Sequence, residues 1–267
     1  MKSSTSNTTQ KGLSENKISK LRNEFIKKGN IFFCIGIVIL LSLWFILSLY
    51  ENNIVVPSIP SVIEDIFSLI ISKKILLIAF TIIKLLLILI VSFAISYLIA
   101  FFSYKYIYVR KLFAPIIAFM RSVPIASFVF ILLLLIGDEF TPFIITSFVI
   151  IPVASETLYS HFNNIDKSII DETKLVSNIN LKIFSILFIP MLLKQIISVV
   201  LSCFGLGLKV MIMSEVILYT ENTIGYEIQM SKNEIMDFTR LYSWTIIVLI
   251  LVFVVEGIIK KIENKIK

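Results

Sequence analysis

Three ionisable side chains, Lys84, Lys209 and Glu215, sit inside long apolar stretches of this 267-residue sequence. An ionisable group at membrane depth costs at least about 2.5 kcal/mol on insertion scales and usually faces a bundle interior or water. The chemistry these residues suggest is therefore the passage of a charged solute, and either lysine could line a path for an anion. Snorkelling or structural ion pairing is the competing explanation. Catalysis lacks its residues. The single His161 cannot assemble a triad or a metal cluster and reads as a polar loop residue. Cys34 and Cys203 lie far apart in separate apolar runs, which gives neither a disulfide framework nor a metal site. No G-x-x-x-x-G-K-[ST] phosphate loop occurs anywhere in the chain. The expectation is a protein without catalytic residue, metal or cofactor, and not an enzyme.

The elements that must position these charges are membrane helices. The chain is 57% hydrophobic and 16% charged, with a mean hydropathy of +0.94, where a soluble domain is about a quarter charged. Apolar runs over 31–50, 75–102, 112–136, 143–158, 191–218 and 241–259 predict six transmembrane helices, since about 20 residues at 1.5 Å each match the hydrocarbon thickness. The first run follows a long polar leader without a small-residue cleavage site, so it is expected to be retained. An even number of passes puts both termini on one side.

The basic residues say which side. Lys2, Lys11, Lys17, Lys20, Arg22, Lys27 and Lys28 precede the first run, Lys105, Arg110 and Lys111 lie between the second and third, and Lys260, Lys261, Lys265 and Lys267 close the chain. The alternate loops hold Glu51, Glu64, Asp65, Asp138, Glu139, Glu221, Glu227, Glu234 and Asp237. That bias predicts cytoplasmic termini. Topology accounts for the net charge of +7, and nucleic-acid binding is not expected. The fold class is an all-α membrane protein in contact with lipid.

Between the fourth and fifth runs lies an organised loop. Asp166 can cap a short helix carrying Ile169, Glu172, Thr173 and Val176, interrupted by Ser177 and Asn178. Asn180 can cap a second helix, with Leu181, Phe184, Leu187 and Phe188 on one side, that runs to Pro190 and bends there into the fifth span. Such a corner is expected to project Ile169, Ile170 and Val176 toward the cytoplasm, where they need a partner groove. Pro115, Pro124, Pro152 and Pro190 are candidate bending points.

Asp171-Glu172-Thr173-Lys174-Leu175-Val176-Ser177, with Pro190 thirteen positions later, resembles the E-A-A-x-x-x-G loop of ABC-importer permeases. The family's glutamate falls on Asp171, its alanines on Glu172 and Thr173, and its glycine on Ser177. Further segments resemble nitrate/sulfonate/taurine-type permeases: Pro57-Ser58-Ile59-Pro60, Arg121-Ser122-Val123-Pro124, Gly205-Leu206-Gly207-Leu208, Ser214-Glu215 and Gly225-Tyr226. The resemblance implies a type I ABC importer permease fold. Residues 1–28 read by composition as a disordered or amphipathic basic cytoplasmic leader, and the resemblance implies a permease domain of a bacterial inner membrane over 29–262, with a coupling loop at about 160–190, before a cytoplasmic tail over 263–267.

The partners it implies are an ABC ATPase subunit, an extracytoplasmic solute-binding protein and a second permease copy. The implied cargo is a small solute such as nitrate, a sulfonate or taurine. Lys84, Arg121, Pro124, Lys209 and Glu215 are the candidates for the translocation pathway. A self-sufficient secondary transporter is the alternative, although repeated halves are not evident in the sequence.

Overall fold

The computed structural model describes residue 32 and residues 34–50, 55–72, 74–176, 181–233 and 236–265. The basic leader, the expected turn residues Ser177, Asn178 and Asn180, and Glu234 lie outside these. Every regular element among the described residues is a helix. The chain divides into two compact units after Ser61. The first contains α1 (Cys34–Tyr50), an apolar helix of 17 residues, and within it the Trp44 indole N–H donates to the Pro57 carbonyl at 3.1 Å.

The helix α2 (Ile59–Ile71) begins at the end of the first unit, and the remaining elements follow it in chain order. They are α3 (Ile75–Lys105), α4 (Ile107–Ser122), α5 (Ile125–Ile136), α6 (Thr141–Asn163), α7 (Lys167–Val176), α8 (Leu181–Met191), α9 (Leu193–Leu218), α10 (Ile224–Asn233) and α11 (Phe238–Lys265). Four of these, α3, α6, α9 and α11, are long and apolar enough to cross a membrane. The helix α11 runs to Lys265, beyond the expected start of the tail.

The predicted third span over 112–136 is not one helix. It consists of α4 and α5, which meet at 101°. The cause is local: Val123 and Pro124 both take extended backbone angles, with ψ of 128° and 115°. Proline lacks the N–H that a continuing helix needs and disfavours helical geometry in the residue before it. Of the other prolines proposed as bending points, Pro115 and Pro152 lie within continuous helices. Pro190 precedes by two residues the break at Leu192 that separates α8 from α9. Counting α4 with α5 as one bent span, the described chain has up to five crossings.

The second unit is built on α3, α6 and α9. Gly207 is what lets them close: a Cβ there would stand 2.9 Å from Ile150 Cδ1 and 3.1 Å from Leu85 Cδ1. Small residues at such points allow backbones to approach in lipid, where the solvent does not itself drive helices together. Gly205, grouped with it in the sequence, has only Glu256 Oε1 nearby, at 3.9 Å. Trp244, Ile247 and Leu251 bring one face of α11 to the same core, while Ile250, Phe253 and Val254 remain exposed on another.

At the end where α3 begins, two ion pairs tie the short helices down. Arg240 at the start of α11 holds Asp65 of α2, with Nη2 at 2.7 Å and Nε at 3.0 Å. Lys74 meets Glu227 of α10 at 2.5 Å. Asp237 caps α11 by accepting the Arg240 backbone N–H at 3.0 Å, and Thr223 caps α10 through the Tyr226 N–H at 3.1 Å. Three acidic residues of the alternate loops, Asp65, Glu227 and Asp237, are thus engaged in these contacts.

Candidate functional site

Two places in the second unit gather the residues singled out in the sequence. The first is the corner after α6. Asp166 accepts the Ser168 backbone N–H at 3.0 Å, as a cap of α7 should, and the backbone and hydroxyl of Ser168 hold its carboxyl below the ordinary aspartate range. The inner face of α7 is Ile169, Ile170 and Thr173. Here the structure corrects the expectation that Ile169 and Ile170 project outward. Both are half-buried against an aromatic cluster of α3, α6 and α8. Apolar side chains on an amphipathic helix turn toward the nearest apolar surface, and here that surface belongs to the chain itself.

What α7 presents outward is Asp171, Glu172 and Leu175, the last 88% exposed. The side chain of Val176 and the whole of Ser177 fall outside the described residues. In α8, Phe184 and Phe188 are fully buried, as expected, whereas Leu181 and Leu187 are exposed. Phe184 is the centre of the cluster, with ring centroids 4.8 Å from Phe162, 5.0 Å from Phe101 and 4.8 Å from Phe188. Ser185 and Tyr97 add a hydroxyl contact at 2.7 Å. The corner is thus seated on the ends of α3 and α6.

Beside it lies a feature the sequence did not mark. Arg110 of α4 grips Glu156 of α6 with both nitrogens, at 2.6 and 2.9 Å, and its guanidinium lies 4.2 Å from the centroid of the Tyr159 ring. Glu156 and Tyr159 are three apart on one helical face, a signal that becomes legible only once Arg110 is known to face it. Both charges are about one-quarter exposed. A double-mutant cycle of Arg110→Met and Glu156→Gln should return a coupling of about 1.5 kcal/mol in unfolding stability, because bidentate charge-assisted bonds exceed neutral ones.

The second place is a cavity of about 180 Å³ between α3, α9 and the start of α6. Lys84, Leu87 and Ile88 line it from α3, spaced three and four apart, and Met211 and Glu215 do so from α9. Glu139 and Phe143 belong to its wall from the α5–α6 connection and the first turn of α6. Glu215 is 1% exposed, and its Oε2 accepts the Gly225 N–H at 3.4 Å. The two short segments Ser214-Glu215 and Gly225-Tyr226, ten residues apart in sequence, are in direct contact.

No family model matches this chain, and no curated protein does. The candidate pathway residues therefore rest on their own geometry. Lys84 and Glu215 come together at the cavity, with Glu139 as an unforeseen third member. Lys209, exposed on α9, does not line it. Arg121 and Pro124 are exposed at the α4–α5 break and also stand outside it. Among the described residues no group of three His, Cys, Asp or Glu side chains is placed to hold a metal ion.

Proposed function

We propose that this chain is the membrane-spanning permease subunit of a bacterial ABC importer, moving a small solute across the inner membrane. Cys34–Tyr50 is then the first of six passes, α4 and α5 form the third, and both termini are cytoplasmic. The observation that carries this reading is the α7–α8 corner: a short capped helix fixed by its apolar face to the ends of two long helices, offering Asp171, Glu172 and Leu175 outward. A rigidly seated helix with an exposed mixed face is suited to pass motion from a partner into the bundle. A short helix that merely linked two spans would have no need of Leu175 in water.

In this reading ATP hydrolysis is carried by an ATPase subunit, and these 267 residues contribute no phosphate loop to it. Closure of that ATPase pair would press on α7, and the bundle would shift between outward-open and inward-open states because nucleotide favours one of them. An extracytoplasmic binding protein delivers the solute, and a second permease copy completes the pathway.

Affinity purification through a C-terminal tag in mild detergent tests this. A phosphate-loop ATPase is expected to co-purify, and Leu175→Asp should reduce its recovery about tenfold or more, as loss of an interface anchor does. Leu175 is 88% exposed among the described residues, so the variant should fold normally. A chain that purifies alone and transports solute in liposomes without ATP is a secondary transporter, and the proposal fails.

A further inference from the structure

We infer that the cavity lined by Lys84, Glu139 and Glu215 binds a small solute through a protonated amine, with Glu215 as its buried acceptor. The assignment rests on reading the chain as a transport permease, and it specifies the cargo that such a permease would meet. Counted from sequence, the lysines of the spans pointed to an anion. The tertiary arrangement reverses that sign, because Lys209 is elsewhere and the lining of the cavity holds two acidic residues and one lysine.

Burial makes Glu215 the principal group. A carboxylate 1% exposed requires compensation, and what the chain supplies is a Gly225 N–H at the long distance of 3.4 Å, the Thr223 hydroxyl and the charge of Lys84. Lys84 acts on it through its charge and not by contact: it lines the same cavity, yet among the described residues no ion pair within 4 Å includes it. The rest of the lining suits the carbon skeleton of such a solute. Leu87, Ile88 and Met211 are aliphatic or thioether, and Phe140 and Phe143 are aromatic residues of the kind that accept a cation against the ring face. In size the site compares with cavities of about 150 Å³ that hold a benzene-sized molecule.

The test is protection from alkylation. Leu87 lines the cavity and is 55% exposed, so Leu87→Cys in a Cys34→Ser/Cys203→Ala background places a reporter thiol there. With the purified chain in nanodiscs, ethylammonium should slow its reaction with a neutral maleimide, while acetate at equal concentration should not. Glu215→Gln should raise the ethylammonium concentration needed by about tenfold, the loss expected for one charge-assisted hydrogen bond. Glu139→Gln should raise it less and provides the measurement if Glu215→Gln does not fold.

Protection by acetate equal to that by ethylammonium overturns the inference. So does a lack of protection by either solute, or amine protection that neither glutamine variant changes. The labelling requires no ATPase, so the two proposals fail separately. Recovery of an ATPase without amine protection removes the cavity assignment alone, and amine protection without an ATPase removes the importer reading alone.

Discussion

Replacing Phe184 with alanine is expected to destabilise the second unit by about 3 kcal/mol, the lower end of the range for deleting a buried phenyl ring. Phe184 is 0% exposed and touches rings from three helices: Phe101 of α3, Phe162 of α6 and Phe188 of its own α8. Tyr104 approaches within 5.6 Å as well. Because one side chain fills the junction, its neighbours can close the void only by moving α8, and that displacement would carry α7 with it. Unfolding in a graded series of denaturing detergent should show the loss, and protease should cut the corner sooner. Leu187→Ala is the comparison. Leu187 lies on the same helix but is 45% exposed, so its truncation should cost well under about 1 kcal/mol. If the two variants unfold alike, the aromatic cluster does not hold the corner.

A loss of similar size is expected from Gly225→Ala, for the opposite reason. Its new Cβ would collide with the Glu215 Cβ and stand 2.7 Å from the Val216 backbone nitrogen and 2.8 Å from the Glu215 carbonyl carbon. Backbone atoms cannot rotate away, so α10 would have to lift off the end of α9. Overpacking costs typically 1–3 kcal/mol, and the upper end of that range, about 3 kcal/mol, is expected here. Two other glycines calibrate the effect. At Gly207 the nearest obstacle is the tip of Ile150, which can change rotamer, so Gly207→Ala should cost about 1 kcal/mol. Nothing lies within 4 Å of a Cβ at Gly257, and there alanine should stabilise α11 by about 0.5–1 kcal/mol through helix propensity. The order Gly225, Gly207, Gly257 in thermal melting is the result to check, and an equal response at all three would contradict the contact of α10 with α9.

The expected Gly225→Ala lesion also bears on the cavity, because it would separate Glu215 from the Gly225 N–H while leaving every charge in place. A weaker response to ethylammonium in that variant would mean that the position of the carboxylate, and not its presence alone, sets the affinity.

Much of this protein was decided by the order of its residues alone. Long apolar runs make membrane helices because unpaired backbone groups cannot be left in hydrocarbon, and that requirement is local. The capping role of Asp166 was legible for the same reason, and so in part was the apolar side of α8, of which Phe184 and Phe188 turn inward while Leu181 and Leu187 do not. The break at Pro124 was legible as a place but not as an angle. One proline removes one hydrogen bond wherever it stands, and the packing of the flanking helices decides whether the chain turns by 101° or, as at Pro152, stays helical.

What only the tertiary structure decided is which distant residues meet. Arg110 finds Glu156, and Arg240 finds Asp65 across 175 positions. Glu139 reaches the cavity from a connection that the sequence had marked only as an acidic loop. The inward turn of Ile169 and Ile170 belongs with these, because amphipathicity shows that a face must be covered and not by what. Charge sign at the cavity is the clearest case. It is a sum over side chains from two helices and a connection, and no periodicity along one segment contains that sum.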